Sequence, residues 1–212
     1  MNSGLLPLFP LPNVLLYPKA LLPLHVFEPR YLQLVKDLQK NGEDLLAMGV
    51  LEDGWDLDYF NTPPIHAIGG VGKILQWNED ADGNYNLLVQ GLTRASFQEE
   101  PFAMTYRSVA FEAIHEIPVI DPEEDALLRR ALRNSLQDFS DETTIISKNL
   151  QTGYLADILI VAMNLSMKDK YELFKNPDVL ERGHAVLRAT QQESFSKKSF
   201  GEIPEGGDSR WN

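Results

Sequence analysis

Two stretches and one residue type in this 212-residue chain could carry chemistry on their composition. In Gly69-Gly70-Val71-Gly72-Lys73-Ile74, glycines run up to a lysine, as in a phosphate-cradling loop. Such a loop needs four residues between its first glycine and the Gly-Lys pair, then a hydroxyl side chain to hold magnesium. Here the spacing is short, Ile74 replaces the hydroxyl, and Leu75 stands where a dinucleotide fingerprint needs its third glycine. Asn78-Glu79-Asp80-Ala81-Asp82-Gly83 has oxygen ligands at alternate positions, like the start of a calcium loop, but the twelfth position is Val89 rather than a bidentate carboxylate. The four histidines, His25, His66, His115 and His184, show no metal-ligand spacing, and no Gly-x-Ser-x-Gly elbow is present. With no cysteine there is no thiol nucleophile, thiolate-bound zinc or disulfide. The residues nominate no catalytic group, no metal and no cofactor.

Composition narrows the partners. The net charge of −12 repels nucleic-acid phosphates and anionic membrane surfaces, and no basic stripe offsets it. DNA is excluded on this ground and RNA disfavoured. No run of about 18 apolar residues is free of helix breakers, and the N-terminus lacks a basic segment ahead of an apolar run. A cytoplasmic protein without a membrane span is expected.

The elements around these stretches divide the chain. Leu5–Leu38 is apolar over its first two-thirds, but Pro7, Pro10, Pro12, Pro18 and Pro23 interrupt it. Proline removes a ladder donor, so a central parallel strand is not expected there. Short strands are predicted at Leu5–Phe9, Val14–Tyr17 and Leu21–Phe27. A helix follows, opening at Glu28-Pro29, burying Tyr31, Leu34, Val35 and Leu38, and ending at Gly42. Further strands are predicted at Leu45–Leu51, Ile65–Trp77, Tyr85–Phe97 and Tyr106–Ile117, with Asp82-Gly83 as a hairpin turn. The glycines at 69, 70 and 72 read as a bulge or barrel corner. Beyond Pro118 the period becomes helical: Pro122–Phe139, a helix around Leu155–Ala162, a short one opened by a Ser166–Asp169 capping box, and a last one capped by Asn176-Pro177. The Ser-, Lys- and Gly-rich residues 193–212 are expected to be a disordered tail.

Several motifs in order resemble the Lon N-terminal, substrate-binding domain, and most of all its stand-alone versions. They are LPLFPLPNVLLYP with LPLHVFEPRY, the strand–hairpin–strand from Gly69 to Phe97 with Gly91 and Arg94, and the helical stretch carrying Leu155, Ala156, Asp157, Lys170, Asp178, Val179 and Arg182. The likeness is weakest between Asp53 and Pro64. It implies an α+β fold: a PUA-like β pseudo-barrel lobe over residues 1–118, then a helical bundle lobe of the same domain over 119–192. It also implies a non-enzymatic module that binds unfolded polypeptide or a protein partner, since the family's ATPase and Ser–Lys protease belong to other domains. Small-molecule or RNA binding by the barrel, and hydrolysis at an unrecognised site, stay open as alternatives. Pro23, Phe27, Tyr31, Gly69, Gly72 and Gly91 read as structural signature residues. Glu28, Arg30 and Arg94 read either as ties between barrel and helix, with Glu28 one partner for Arg94, or as part of a binding surface. Trp55, Tyr59 and Phe60, in an acidic loop, are the aromatics placed to meet a bound segment. The residues leave the oligomeric state unspecified.

Overall fold

A computed structural model describes residues 5–57, 62–101, 105–137 and 150–200, with side chains to residue 192. It has a mixed six-stranded sheet and, among the described residues, five helices. The strands are β1 (Leu5–Leu11), β2 (Leu21–Val26), β3 (Leu45–Val50), β4 (Ile68–Glu79), β5 (Tyr85–Glu99) and β6 (Ser108–Ile114). The helices are α1 (Pro29–Asn41), α2 (Pro122–Gln137), α3 (Thr152–Ala162), α4 (Met167–Lys175) and α5 (Val179–Phe200). Among the described residues no helix is long and apolar enough to cross a membrane.

Strand pairing closes a ring. The sheet runs β2-β5-β4-β3-β1-β6, and β6 pairs back onto the second half of β5, whose first half carries β2. Ring closure removes edges from five strands and leaves β2 attached from outside. Around β1 and β3 both faces are largely buried, which accounts for the near-continuous apolar runs there. Leu8 and Ala47 pack with Val71, Ala95, Val109 and Phe111. Their chain neighbours Phe9, Leu46 and Met48 point the other way, onto Tyr31, Leu34 and Val35 of α1.

Several expectations need correction. β1 lies between β3 and β6 and is parallel to β3, although it holds Pro7 and Pro10. Each proline is paired on one side only: residues 5–7 face β6 and residues 8–11 face β3, so no two-sided ladder loses a donor. Val14–Tyr17 is not a strand. It runs between two left-handed residues, Asn13 (φ 58°) and Lys19 (φ 67°), and lies hard against β4 and β5. A Cβ on Gly91 would stand 2.0 Å from the Tyr17 carbonyl oxygen, and one on Gly70 would stand 2.5 Å from that of Leu16. Gly70 and Gly91 therefore make room for backbone and Gly72 for the Val89 and Leu16 side chains, and β4 shifts register between Val71 and Gly72. The last helix is capped by Asp178, whose carboxylate accepts the Glu181 N–H at 2.9 Å, not by Asn176. It continues to Phe200, past the expected start of the tail, because no glycine or proline lies between Gly183 and Gly201.

The chain packs as two compact units, and their boundary departs from the expected 118/119 division. One takes residues up to Ile117 together with Met167–Pro177, and the other takes Pro118–Ser166 with the residues from Asp178. Within the second, Leu128, Leu132, Leu155, Leu159 and Val186 are buried, and so is an ion pair between Asp157 and Arg182 at 3.3 Å. The helix α4 belongs to the β unit because its buried side is fitted to the strands. The Tyr171 hydroxyl donates to the Ile68 carbonyl and accepts its N–H, both at 3.2 Å, and Phe174 meets Tyr17 edge-on with centroids 5.1 Å apart. Arg94 of β5, only 1% exposed, donates from Nε to the Phe174 carbonyl at 2.6 Å and from Nη1 to Glu116 at 3.3 Å. Its guanidinium also lies over the Phe174 and Tyr17 rings, at 5.0 and 5.7 Å.

Three predictions test this account. Removing the Arg94 side chain strands the buried Phe174 carbonyl, whereas Glu116, more than a third exposed, stays hydrated. Arg94→Ala should therefore cost about 2–3 kcal/mol in urea unfolding, and amide exchange over 167–177 should rise before that of the ring strands. Gly91→Ala should cost about 2–3 kcal/mol, because the obstacle is backbone and cannot rotate away; a loss under about 0.5 kcal/mol would contradict the close approach. Burial, and then the carboxylate of Asp37 that its hydroxyl reaches at 3.1 Å, push the Tyr106 hydroxyl up to about 12. The unfolded chain releases that proton near the ordinary 10.0 and the folded chain holds it, so stability falls between the two values. Tyr106→Phe should flatten that part of the pH–stability curve measured by denaturant midpoint.

Candidate functional site

Among the described residues singled out from sequence, Glu28 and Arg30 form one cluster, while Arg94 bonds to Glu116 and Phe174. Glu28 precedes α1 and makes no side-chain cap; it accepts the Arg30 Nε–H at 3.1 Å, and Arg30 lies over the Tyr31 ring at 4.8 Å. That cluster orders the start of α1. Arg94 has Glu116 and Phe174 among its partners, and so ties the strands to α4. Tyr31 is buried in the core as expected. The side chain of Phe27, expected in the structural signature, is 62% exposed, with its ring 5.9 Å from that of His25. It is a surface residue, because β2 has already ended at Val26. Tyr59 and Phe60 lie outside the described residues. Trp55 is half-buried in a short 3-10 turn, Trp55–Leu57.

Two surfaces of the β unit stand out. The first is the outer face of β2, β5 and the distal part of β4. Register places Pro23 opposite Leu88, and Leu88 opposite Gln76 beside the bulged Leu75. Leu21 lies two residues back on the same face of β2. Leu21 is 56% exposed, Leu75 is 44%, and Pro23 is also exposed, so an apolar row crosses three strands in water. A polar row borders it, where His25 Nδ1 and Asn86 Oδ1 are hydrogen-bonded at 3.0 Å. Among the described residues β5 is the only strand partner of β2, so the other edge of β2 is unpaired.

The second surface is a cleft of ≈ 290 Å³ between the end of β3, the start of β4 and α4. Its floor is a stack: the His66 ring lies 4.1 Å from the Tyr171 ring at 26°. The two Ile68 hydrogen bonds fix that tyrosine. Trp55, Leu51 and Met167 supply more apolar lining; Asp53, Lys168, Glu172 and Lys175 supply charge. Lys175 is paired with Glu172 at 2.7 Å. Burial pushes the Tyr171 hydroxyl up; the Ile68 hydrogen bond and Lys175 oppose the shift, and Glu172 and Glu52 add to it. Trp55 was legible as a candidate. Tyr171 was not, since nothing in sequence shows that α4 packs 103 residues away on Ile68.

The tempting motifs have structural explanations. Gly69–Ile74 is plain β4. In Asn78–Gly83 the Asp80 carboxylate is spent on the hairpin, accepting the Asp82 and Asn84 N–H groups at 2.9 Å, and these bonds hold it below the usual carboxylate range. Among the described residues no cluster of acidic or histidine side chains is set to hold a metal.

Comparison with known proteins adds what geometry leaves open. A family model described as the ATP-dependent protease La (LON) substrate-binding domain matches residues 5–192. Lon protease 2 of Sorangium cellulosum is 31% identical over 203 residues, which cover 88% of this chain and 24% of that protein. Lon protease 1 of Bacillus subtilis is 28% identical, with 86% and 24% covered. The chain thus spans about a quarter of the length of these curated relatives. Two solved structures share the fold. The Lon N-terminal domain protein from Xanthomonas campestris has a TM-score of 0.61 and 23% identity, covering 95% of this chain and 99% of that one. The N-terminal domain of a Mycobacterium avium complex Lon protease has a TM-score of 0.63 and 20% identity, covering 89% and 98%. With a family match from residue 5 to residue 192, over a mixed sheet followed by helices, this chain belongs to the Lon substrate-binding domain family.

Proposed function

We propose that the chain is a non-catalytic module that binds extended, unfolded polypeptide and acts as an adaptor or modulator in protein quality control. The observation that carries the reading is the apolar row Leu75–Leu88–Pro23 with Leu21, lying beside an edge of β2 that is unpaired among the described residues. A contiguous apolar face in water marks an interaction surface, and an open strand edge offers main-chain groups to any extended segment. Pro23 removes one donor from that edge, a device that also restrains edge-to-edge aggregation. Magnitudes favour using both features. Covering the exposed fractions of Leu21, Leu75 and Phe27 contributes about 3 kcal/mol gross, less than the roughly 4 kcal/mol or more that association costs. Main-chain pairing along β2 supplies the rest. The absence of cysteine suits a reducing cytosol.

A fluorescence-anisotropy titration with a labelled, permanently unfolded polypeptide tests the reading, followed by a gel of the same sample. Saturable binding near about 1 µM, roughly 8 kcal/mol, with the polypeptide intact is expected. Leu21→Asp and Leu75→Asp, both at exposed positions, should each weaken it about tenfold while leaving the unfolding midpoint in place. No binding up to about 100 µM, or fragments on the gel, would overturn it.

A further inference from the structure

We infer that the His66–Tyr171 cleft is a recognition pocket for a basic side chain, arginine above all, of the bound polypeptide. The inference rests on the polypeptide-binding reading for its purpose, though its test does not. Size comes first: at ≈ 290 Å³ the cleft is at the small end for ligand pockets and suits one long side chain. The floor is pre-organised. Tyr171 is held at its hydroxyl by both backbone groups of Ile68, and His66 is stacked upon it. A flat guest that stacks there pays little to order the protein. Trp55 adds a third ring, and indole and phenol faces attract cations, with the planar guanidinium stacking best.

Charge decides between a cationic and an anionic guest. Lys175 is already neutralised by Glu172, leaving Lys168 on the exposed first turn of α4 as the opposing cation. Asp53 on the rim has no ion-pair or hydrogen-bond partner among the described residues, and Glu52 adds negative potential at Tyr171. The field of the whole chain, at −12, has the same sign. A guanidinium seated on the rings would present its N–H fork to Asp53, a geometry that lysine reproduces less well. The paired carboxylate of Glu172 is a second acceptor within the lining.

The test uses the full chain, labelled with ¹⁵N and titrated with N-acetyl-arginine methylamide and, in parallel, its neutral isostere N-acetyl-citrulline methylamide. Saturable shifts at Asp53, the Trp55 indole and His66 are expected for the arginine probe, with citrulline binding about tenfold more weakly. Asp53→Asn should remove most of that selectivity, and Trp55→Leu should weaken the arginine probe; an unchanged spectrum elsewhere shows that both variants fold. Equal binding of the two probes, shifts away from the cleft, or no shift with either probe overturns the inference. Arginine selectivity without binding of the unfolded polypeptide would keep the pocket and sink the recognition reading. Polypeptide binding without arginine selectivity would do the reverse.

Discussion

Arg94 leaves β5 with its guanidinium out of water and must be satisfied there, and the way it is satisfied organises the β unit. One N–H goes to the last turn of α4 at the Phe174 carbonyl, another to Glu116 beyond β6, and the planar head lies against Tyr17 and Phe174. A buried cation without such partners would cost several kcal/mol, so these contacts stand or fall together. They fix where α4 sits, and α4 carries Tyr171, whose hydroxyl then reaches Ile68 at the start of β4. The cleft exists because the helix bearing one wall is pinned to the strands bearing the other. A residue that invites a binding role from sequence thus holds the element that lines the cleft.

The same unit handles its prolines and glycines by geometry. β1 tolerates two prolines because it changes partner halfway along, so each proline meets a neighbour on one side only. Gly70 and Gly91 admit the irregular segment through Leu16 and Tyr17, which crosses β4 and β5 closer than a Cβ allows. That crossing brings Tyr17 to Arg94. The second unit buries polar groups of its own. Asp157 and Arg182, both nearly inaccessible, face each other, and Thr152 donates to Asp125 at 2.5 Å while Arg129 reaches both.

The two surfaces offer different chemistry. The outer face of β2, β5 and β4 is apolar, shallow and next to an open strand edge, which suits side-chain and main-chain contacts to an extended segment of little sequence preference. The cleft is small, lined by aromatic groups and by two carboxylates and two lysines, which suits one side chain. The chain belongs to a substrate-binding domain family, and it spans only about a quarter of the length of its curated Lon relatives. Under the function proposed above, the first surface would supply breadth and the second selectivity.

Local signals decided much of this protein. The α1 boundaries followed from Glu28-Pro29 and Gly42, whose φ of 69° only a glycine adopts readily. The Asp82-Gly83 hairpin, the bulge near Gly72 and the change from strand to helix period after Pro118 followed likewise, because each depends on residues a few positions apart. The order of motifs from Leu5 to Arg182 was enough to mark the family. What sequence did not disclose depends on contacts across the chain: β1 parallel to β3, α4 packed onto the strands, Arg94 paired with Glu116 and the Phe174 carbonyl, and Phe27 turned to water. A pairing pattern or a helix's neighbour is set by which buried faces fit together, and a linear pattern carries the faces but not the fit. The candidate surfaces are of that kind. Leu75, Leu88 and Pro23 form one row, and His66 and Tyr171 one stack, only once tertiary structure has brought them side by side.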